Sequence, residues 1–205
     1  MADIPEDDRE TFEHALPGKT CGVFQMESAG MTGVCVGLKP QSIEDITAII
    51  ALYRPGPMDS IPRFIACKHE SQAHPLQASL AWSPSSPCTY GCIVYQEQVI
   101  KIFQKLGGYS LGQADMVRRA MSRKKAKDIE QEREAFIHGD PARSITGLCS
   151  PTGFPRHTAE AIYDEIYDFA NYAFNKAHAV CYAVVAYQTA WFQVPLIPGS
   201  IWRPC

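Results

Sequence analysis

The densest chemistry in this chain lies in "GYSLGQADMVRRAMSRKKAKD", residues 108–128, where six basic side chains fall within ten positions. They are Arg118, Arg119, Arg123, Lys124, Lys125 and Lys127, and no acid stands between Asp115 and Asp128. Six of the nineteen Lys and Arg residues are thus gathered in one place, in a chain whose formal net charge is −3. Adjacent arginines can grip phosphate oxygens with paired N–H donors, and a lysine-rich turn adds point charges beside them. A basic run is ordinarily a solvated surface, so composition alone leaves an anion site and a plain cationic face as equal readings.

A second candidate is "FNKAHAV", which places Lys176 and His178 in a short polar link between two helical patterns. Both can donate to an anion, although a lone histidine is more often structural. Asp164 and Asp168 stand four apart on a helix and could share a metal, but their face reads as solvated. "GGYSLG" is spaced like the start of a phosphate loop, yet Gln113-Ala114 stands where Lys and Ser or Thr are needed. H-E-x-x-H does not occur, and no catalytic constellation is read inside the chain. The eight cysteines, at 21, 35, 67, 88, 92, 149, 181 and 205, never form C-x-x-C and read as free thiols. A thiol or metal-binding protein is therefore the weakest functional reading.

The elements that must position these residues read as helices. Ser42 with Asp45 forms a capping box for "IEDITAIIALY", which Pro55-Gly56-Pro57 ends. A short helix is expected near Ile61 to Lys68. "YQEQVIKIFQKLGG" carries Tyr95, Val99, Ile102, Phe103 and Leu106 at helical spacing, with Gly107-Gly108 as the stop. The basic run divides naturally into a helix ending near Met121, a turn through Ser122 to Lys125, and a new helix from Ala126. Arg118 and Arg119 then occupy a last turn, where cations suit the helix dipole. "AKDIEQEREAFIHG" places Ile129, Arg133 and Phe136 near one face. "TAEAIYDEIYDFANYAF" sets Ile162, Ile166 and Phe169 on one stripe with Asp164, Glu165 and Asp168 facing away. "AHAVCYAVVAYQTAWF" is rich in small residues and should pack closely on its neighbours. "CGVFQM" is the one candidate for a short strand.

At 205 residues, 46% hydrophobic and 20% charged, the chain has the composition of a soluble globular protein with a real core. The charge-free run "AVCYAVVAYQTAWFQVPLIPGSIW" is stopped by Pro195 and Pro198 and reads as a buried helix, so no membrane partner is expected. The acidic N-terminus has no apolar core of a signal peptide, and the expected location is cytoplasmic. Three stretches, 71–89, 141–157 and 194–205, hold nine of the fifteen prolines in under a quarter of the chain.

Five motifs then occur in order: "CGVFQMES", "IIALYRPGPMDSI", "YGCIVYQEQV", "GYSLGQADMVRRAMSRKK" and "YDFANYAFNKAHAVCYAVVAYQTAWF". Together, from about Ile4 to Phe192, they resemble the bacterial DNA polymerase III alpha subunits, the replicative polymerases of family C. The resemblance implies an all-α, mainly helical fingers domain with a small remnant of the palm and little or no sheet. Residues 1–35 would be the end of the palm and the entry to the fingers. Residues 36–193 would be the fingers, with 71–89 and 141–157 as off-pattern loops and 194–205 as an off-pattern tail. The abrupt edges of these stretches suggest a reading frame lost and regained, which would leave poorly packed loops.

The implied function is a share in DNA-directed DNA polymerisation, a nucleotidyl transfer in DNA replication. Arg118 and Arg119, with Lys176 and His178 as helpers, would neutralise the triphosphate of the incoming deoxynucleoside triphosphate (dNTP). Arg123, Lys124 and Lys125 would approach the DNA backbone. The family's Mg²⁺ ions are held by palm aspartates upstream of everything present in this sequence. No catalytic or metal residue is therefore expected within it, and alone it should not polymerise. Implied partners are dNTP, primer–template DNA, the rest of the polymerase chain, and the replisome's sliding clamp through other parts. The rival in a different class is a stand-alone helical nucleic-acid-binding protein without catalysis.

Overall fold

The structure is a computed structural model that describes residues 4–69, 89–122, 126–149, 154–170 and 174–194. Eight α-helices follow in chain order among the described residues: α1 (Ala29–Leu38), α2 (Ile43–Leu52), α3 (Ile61–His69), α4 (Gln96–Gly107), α5 (Leu111–Ser122), α6 (Ala126–His138), α7 (Arg156–Ala170) and α8 (Lys176–Gln193). Short helical turns precede α1 at Thr11–Ala15, α3 at Pro57–Ser60 and α7 at Pro141–Arg143. The described residues contain no strand, only isolated bridges between Tyr95 and Phe174 and between Asp140 and Ile145. The fold is all-α, and none of these helices is long and apolar enough to cross a membrane. The helices divide between two compact units, α1–α3 with α8 in the first and α4–α7 in the second, changing over at Cys92/Ile93 and at Asn175/Lys176.

The first unit is built on α8 lying against α2. On α8 the alanines 179, 183, 186 and 190 repeat at helical spacing and are all fully buried. Such short side chains let the axes of α8 and α2 come close, and Ile46 and Ile49 of α2 are buried in the same unit. Ser42 caps α2, accepting from the Asp45 N–H at 3.3 Å. Tyr187, on the same buried side of α8, packs its ring on Phe12 at 5.2 Å. Its hydroxyl donates to the Pro5 carbonyl at 2.6 Å and accepts from the Asp8 N–H at 3.0 Å, which ties the N-terminal segment down.

The second unit closes round three rings. Phe103 of α4, Phe136 of α6 and Tyr163 of α7 meet with centroids 5.1 to 6.3 Å apart. Gly108, at φ 74°, ends α4 in the left-handed conformation.

Two expectations need correction. "CGVFQM" is not a strand. Gly22 and Gln25 both take positive φ, so the segment turns twice while Val23 and Met26 are buried. Nor is 141–157 loosely packed where it is described. Residues 140–148 fold back on α4 and α6, the Gly147 N–H donating to the Gly107 carbonyl at 3.1 Å and the Leu148 N–H to the Phe136 carbonyl at 2.8 Å. Ile145 and Leu148 enter the core, and α7 begins at Arg156, inside the stretch read as off-pattern. Gly147 is obligatory there, since it has φ 73° and a Cβ would lie 2.2 Å from the Gly139 nitrogen. The off-pattern residues 71–88 and 195–205 lie outside the described residues.

If the alanine stripe sets the distance between α2 and α8, Ala183→Leu should destabilise the chain by about 1–3 kcal/mol in urea unfolding. Val185→Ala, on the exposed face of α8, should stay within about 0.5 kcal/mol. Equal midpoints for the two variants would contradict this packing.

Candidate functional site

The arginine pair depends on how α5 is started and how it is seated. Ser110 and Gln113 form a reciprocal cap at its N-terminus. The Gln113 side-chain carbonyl accepts from the Ser110 N–H and hydroxyl, both at 2.8 Å, and Ser110 Oγ accepts from the Gln113 N–H at 3.4 Å. Ala114, Val117 and Met121 form the buried stripe that seats the helix. Gln113 Nε2 also donates to the Arg143 carbonyl at 2.9 Å, linking α5 to the packed 140–148 loop. Arg143 is itself held by Glu132 and, at 2.6 Å, by Asp140. The other oxygen of Glu132 accepts from the Tyr109 hydroxyl at 3.2 Å. Burial and that carboxylate push the Tyr109 phenol well above its ordinary value, so it stays neutral.

On this seated helix both arginines converge on one carboxylate. Arg118 donates through Nε and Nη2 to Asp115 Oδ1, at 3.1 and 2.9 Å. Arg119 Nη2 reaches Asp115 Oδ2 at 2.8 Å. The Arg118 hydrogen bond, opposed by partial desolvation, is the main reason the Asp115 carboxyl lies below the usual aspartate range. Arg118 is the inner member, with its side chain 21% exposed against 63% for Arg119. The first of the two helices, α5, is described to Ser122, which was expected in the turn, and the second, α6, from Ala126. Arg123, Lys124 and Lys125 lie outside the described residues.

Lys176 and His178 belong to the other unit, on the first turn of α8. Lys176 Nζ lies 3.0 Å from Glu44 at the start of α2. A cation at a helix N-terminus is disfavoured by the dipole, and the carboxylate offsets that. The His178 ring rests on Tyr182, one turn on, with centroids 4.5 Å apart, and Tyr182 in turn contacts Phe24 at 5.6 Å. Behind Glu44, Asp45 is buried and accepts three hydrogen bonds: the Gln41 N–H at 2.8 Å, Lys68 Nζ at 2.7 Å and the Tyr90 hydroxyl at 2.8 Å. That cluster pins the N-terminus of α2.

Among the described residues no group of three or more His, Cys, Asp or Glu side chains is placed to hold a metal ion. Asp164 pairs with Arg133 at 3.0 Å. The six described cysteines are free thiols, and burial pushes Cys35 up to about 11.

Comparison with known proteins bears on what such a site serves. The family model described as bacterial DNA polymerase III alpha subunit finger domain matches residues 1–143. The chain belongs to the bacterial DNA polymerase III alpha subunit family. The DNA polymerase III subunit alpha of Rickettsia prowazekii is 46% identical over 191 residues, which are 93% of this chain and 15% of the relative. That of Thermus aquaticus is 44% identical over 192 residues, 92% of this chain and 15% of the relative. That of Bacillus subtilis is 42% identical over 194 residues, 94% and 16%. The chain thus spans about 15% of the length of the polymerase III alpha relatives it matches.

The sequence singles out Arg118 and Arg119 as candidates but not the groups that hold them. Asp115 stands three and four residues before the pair, and Ser110 stands three before Gln113. Both are helical spacings legible in the sequence. Asp45 is the reverse case, because its partners Lys68 and Tyr90 are 23 and 45 residues away. Truncating Lys68 should expose the weight of that cluster. With side chains only 5% and 2% exposed, Lys68→Ala leaves Asp45 buried without its cation, and we expect a loss of about 3–5 kcal/mol by thermal or denaturant unfolding. A change below about 1 kcal/mol would mean that the pair is not buried as described.

Proposed function

We propose that this chain supplies fingers-domain contacts to a replicative DNA-directed DNA polymerase. Arg118 and Arg119 receive the triphosphate of the incoming dNTP. The observation that carries the reading is the guanidinium pair held on one carboxylate at the end of α5, in a chain of the polymerase III alpha family. Nucleotidyl transfer drives negative charge onto a pyrophosphate leaving group. Donors already in place where that charge develops lower the barrier without reorganising at the moment of reaction. Lys176 and His178 assist as further donors toward the nucleotide, and Arg123, Lys124 and Lys125 contact the DNA backbone.

Mg²⁺ would supply the charge stabilisation common to such transfers. The described residues offer no cluster to hold it, so the role proposed for this chain is charge neutralisation and orientation. Primer–template DNA, the remaining parts of a polymerase chain and, through them, the sliding clamp are the proposed partners, in the bacterial cytoplasm.

The test is Arg118→Ala with Arg119→Ala in a polymerase that carries the metal-bearing parts. Removing charge-assisted hydrogen bonds to phosphate should weaken dNTP use by about 10- to 100-fold in kcat/KM. Affinity for primer–template should change by no more than about 3-fold, since one or two phosphate contacts at most are lost. Unchanged kcat/KM would remove the assigned role.

A further inference from the structure

We propose that Asp115 is a positioning residue for the arginine pair, holding both guanidiniums in the geometry that receives phosphate. The inference rests on the triphosphate reading of Arg118 and Arg119 and adds to it the group that makes them a site. Two adjacent arginines at a helix end repel each other, and each long side chain carries much rotamer entropy. Left alone they would splay apart, and an arriving anion would have to order them.

One carboxylate removes both difficulties. Oδ1 takes the Nε and Nη2 of Arg118, at 3.1 and 2.9 Å, and Oδ2 takes Nη2 of Arg119 at 2.8 Å. Each oxygen therefore serves one guanidinium, and the two are held side by side. Asp115 sits on the same helix, three and four residues earlier, so the geometry follows from the helix itself. The trio keeps one net positive charge, presented through Arg119, whose side chain is 63% exposed. The Asp115 carboxyl, held below the usual aspartate range by the Arg118 hydrogen bond, stays charged at working pH.

A surface ion pair with no positioning role would add little to the helix. The two readings predict opposite signs. By charge alone, Asp115→Asn raises the local positive potential and should tighten anion binding. By positioning, the same change releases the arginines and weakens it.

The experiment uses the 205-residue chain and inorganic tripolyphosphate, titrated by calorimetry. Side-chain ¹⁵N spectra of the arginine Nε–H groups are recorded on the same samples. Four proteins are compared: wild type, Asp115→Asn, Asp115→Glu, and the double variant Arg118→Ala with Arg119→Ala. Asp115→Asn should bind about 3- to 10-fold more weakly, and Asp115→Glu should recover to within about 2-fold of wild type. The Arg118 Nε–H signal should be protected in wild type and Asp115→Glu and exchange rapidly in Asp115→Asn. Melting temperatures should barely differ among the Asp115 variants, because a half-exposed helix pair contributes little stability. Equal or tighter binding by Asp115→Asn overturns the positioning role. If wild type and the double variant bind alike, the triphosphate reading fails instead. The Nε–H signal then decides positioning alone, and exchange as slow in Asp115→Asn as in wild type overturns it.

Discussion

Two like charges on neighbouring residues can be kept together only if something pulls on both, and in this chain that is the Asp115 carboxylate. Much of the second unit serves to seat the helix that carries that arrangement. The Ser110–Gln113 cap sets where α5 begins, and the buried stripe of Ala114, Val117 and Met121 sets which way it faces. Behind it the 140–148 loop is locked on Gly107 and Phe136 by backbone hydrogen bonds. Its Arg143 is held by Glu132 and Asp140. The arginines of α5 therefore stand on a helix that is capped, seated on the core and braced by a packed loop.

The first unit follows a different logic. Its close α2–α8 packing depends on alanines, whose small size lets backbones approach but gives little directional information. Directionality comes from buried polar groups. Asp45 gathers Gln41, Lys68 and Tyr90 at the start of α2, and Tyr187 ties the N-terminal segment to α8. Buried charge of this kind is weak evidence for net stability. It does penalise any alternative that separates the partners. Lys176 and His178 stand at the first turn of the helix so held, one facing Glu44 and the other packed at a tilt against Tyr182.

Helix existence was the most legible part of the sequence, because the apolar period and the glycine stops act locally. Gly107-Gly108 and Ser42 before Ile43 both stand where they were read. At Asp45 the capping-box reading was half right. Ser42 accepts from its N–H, but its carboxylate turns to Gln41 and to Lys68. Proline-rich composition misled at 141–149. Pro141 starts a helical turn capped by Asp140, and Ile145 and Leu148 are as buried as any helix residue. Composition reports chain stiffness there, while packing is decided by two apolar residues and Gly147. The candidate site was half legible in the same way. The cations announce themselves by number, whereas the acid that organises them looks like one more surface charge until the helix places it.

We propose that Arg118 and Arg119, held by Asp115, receive a triphosphate. The decisive measurement is a crystal structure of the chain with a deoxynucleoside triphosphate. Phosphate oxygens should lie about 2.7–3.0 Å from both guanidiniums, with the Asp115 contacts still made. Phosphates bound elsewhere, with the two arginines turned away from them, would contradict it.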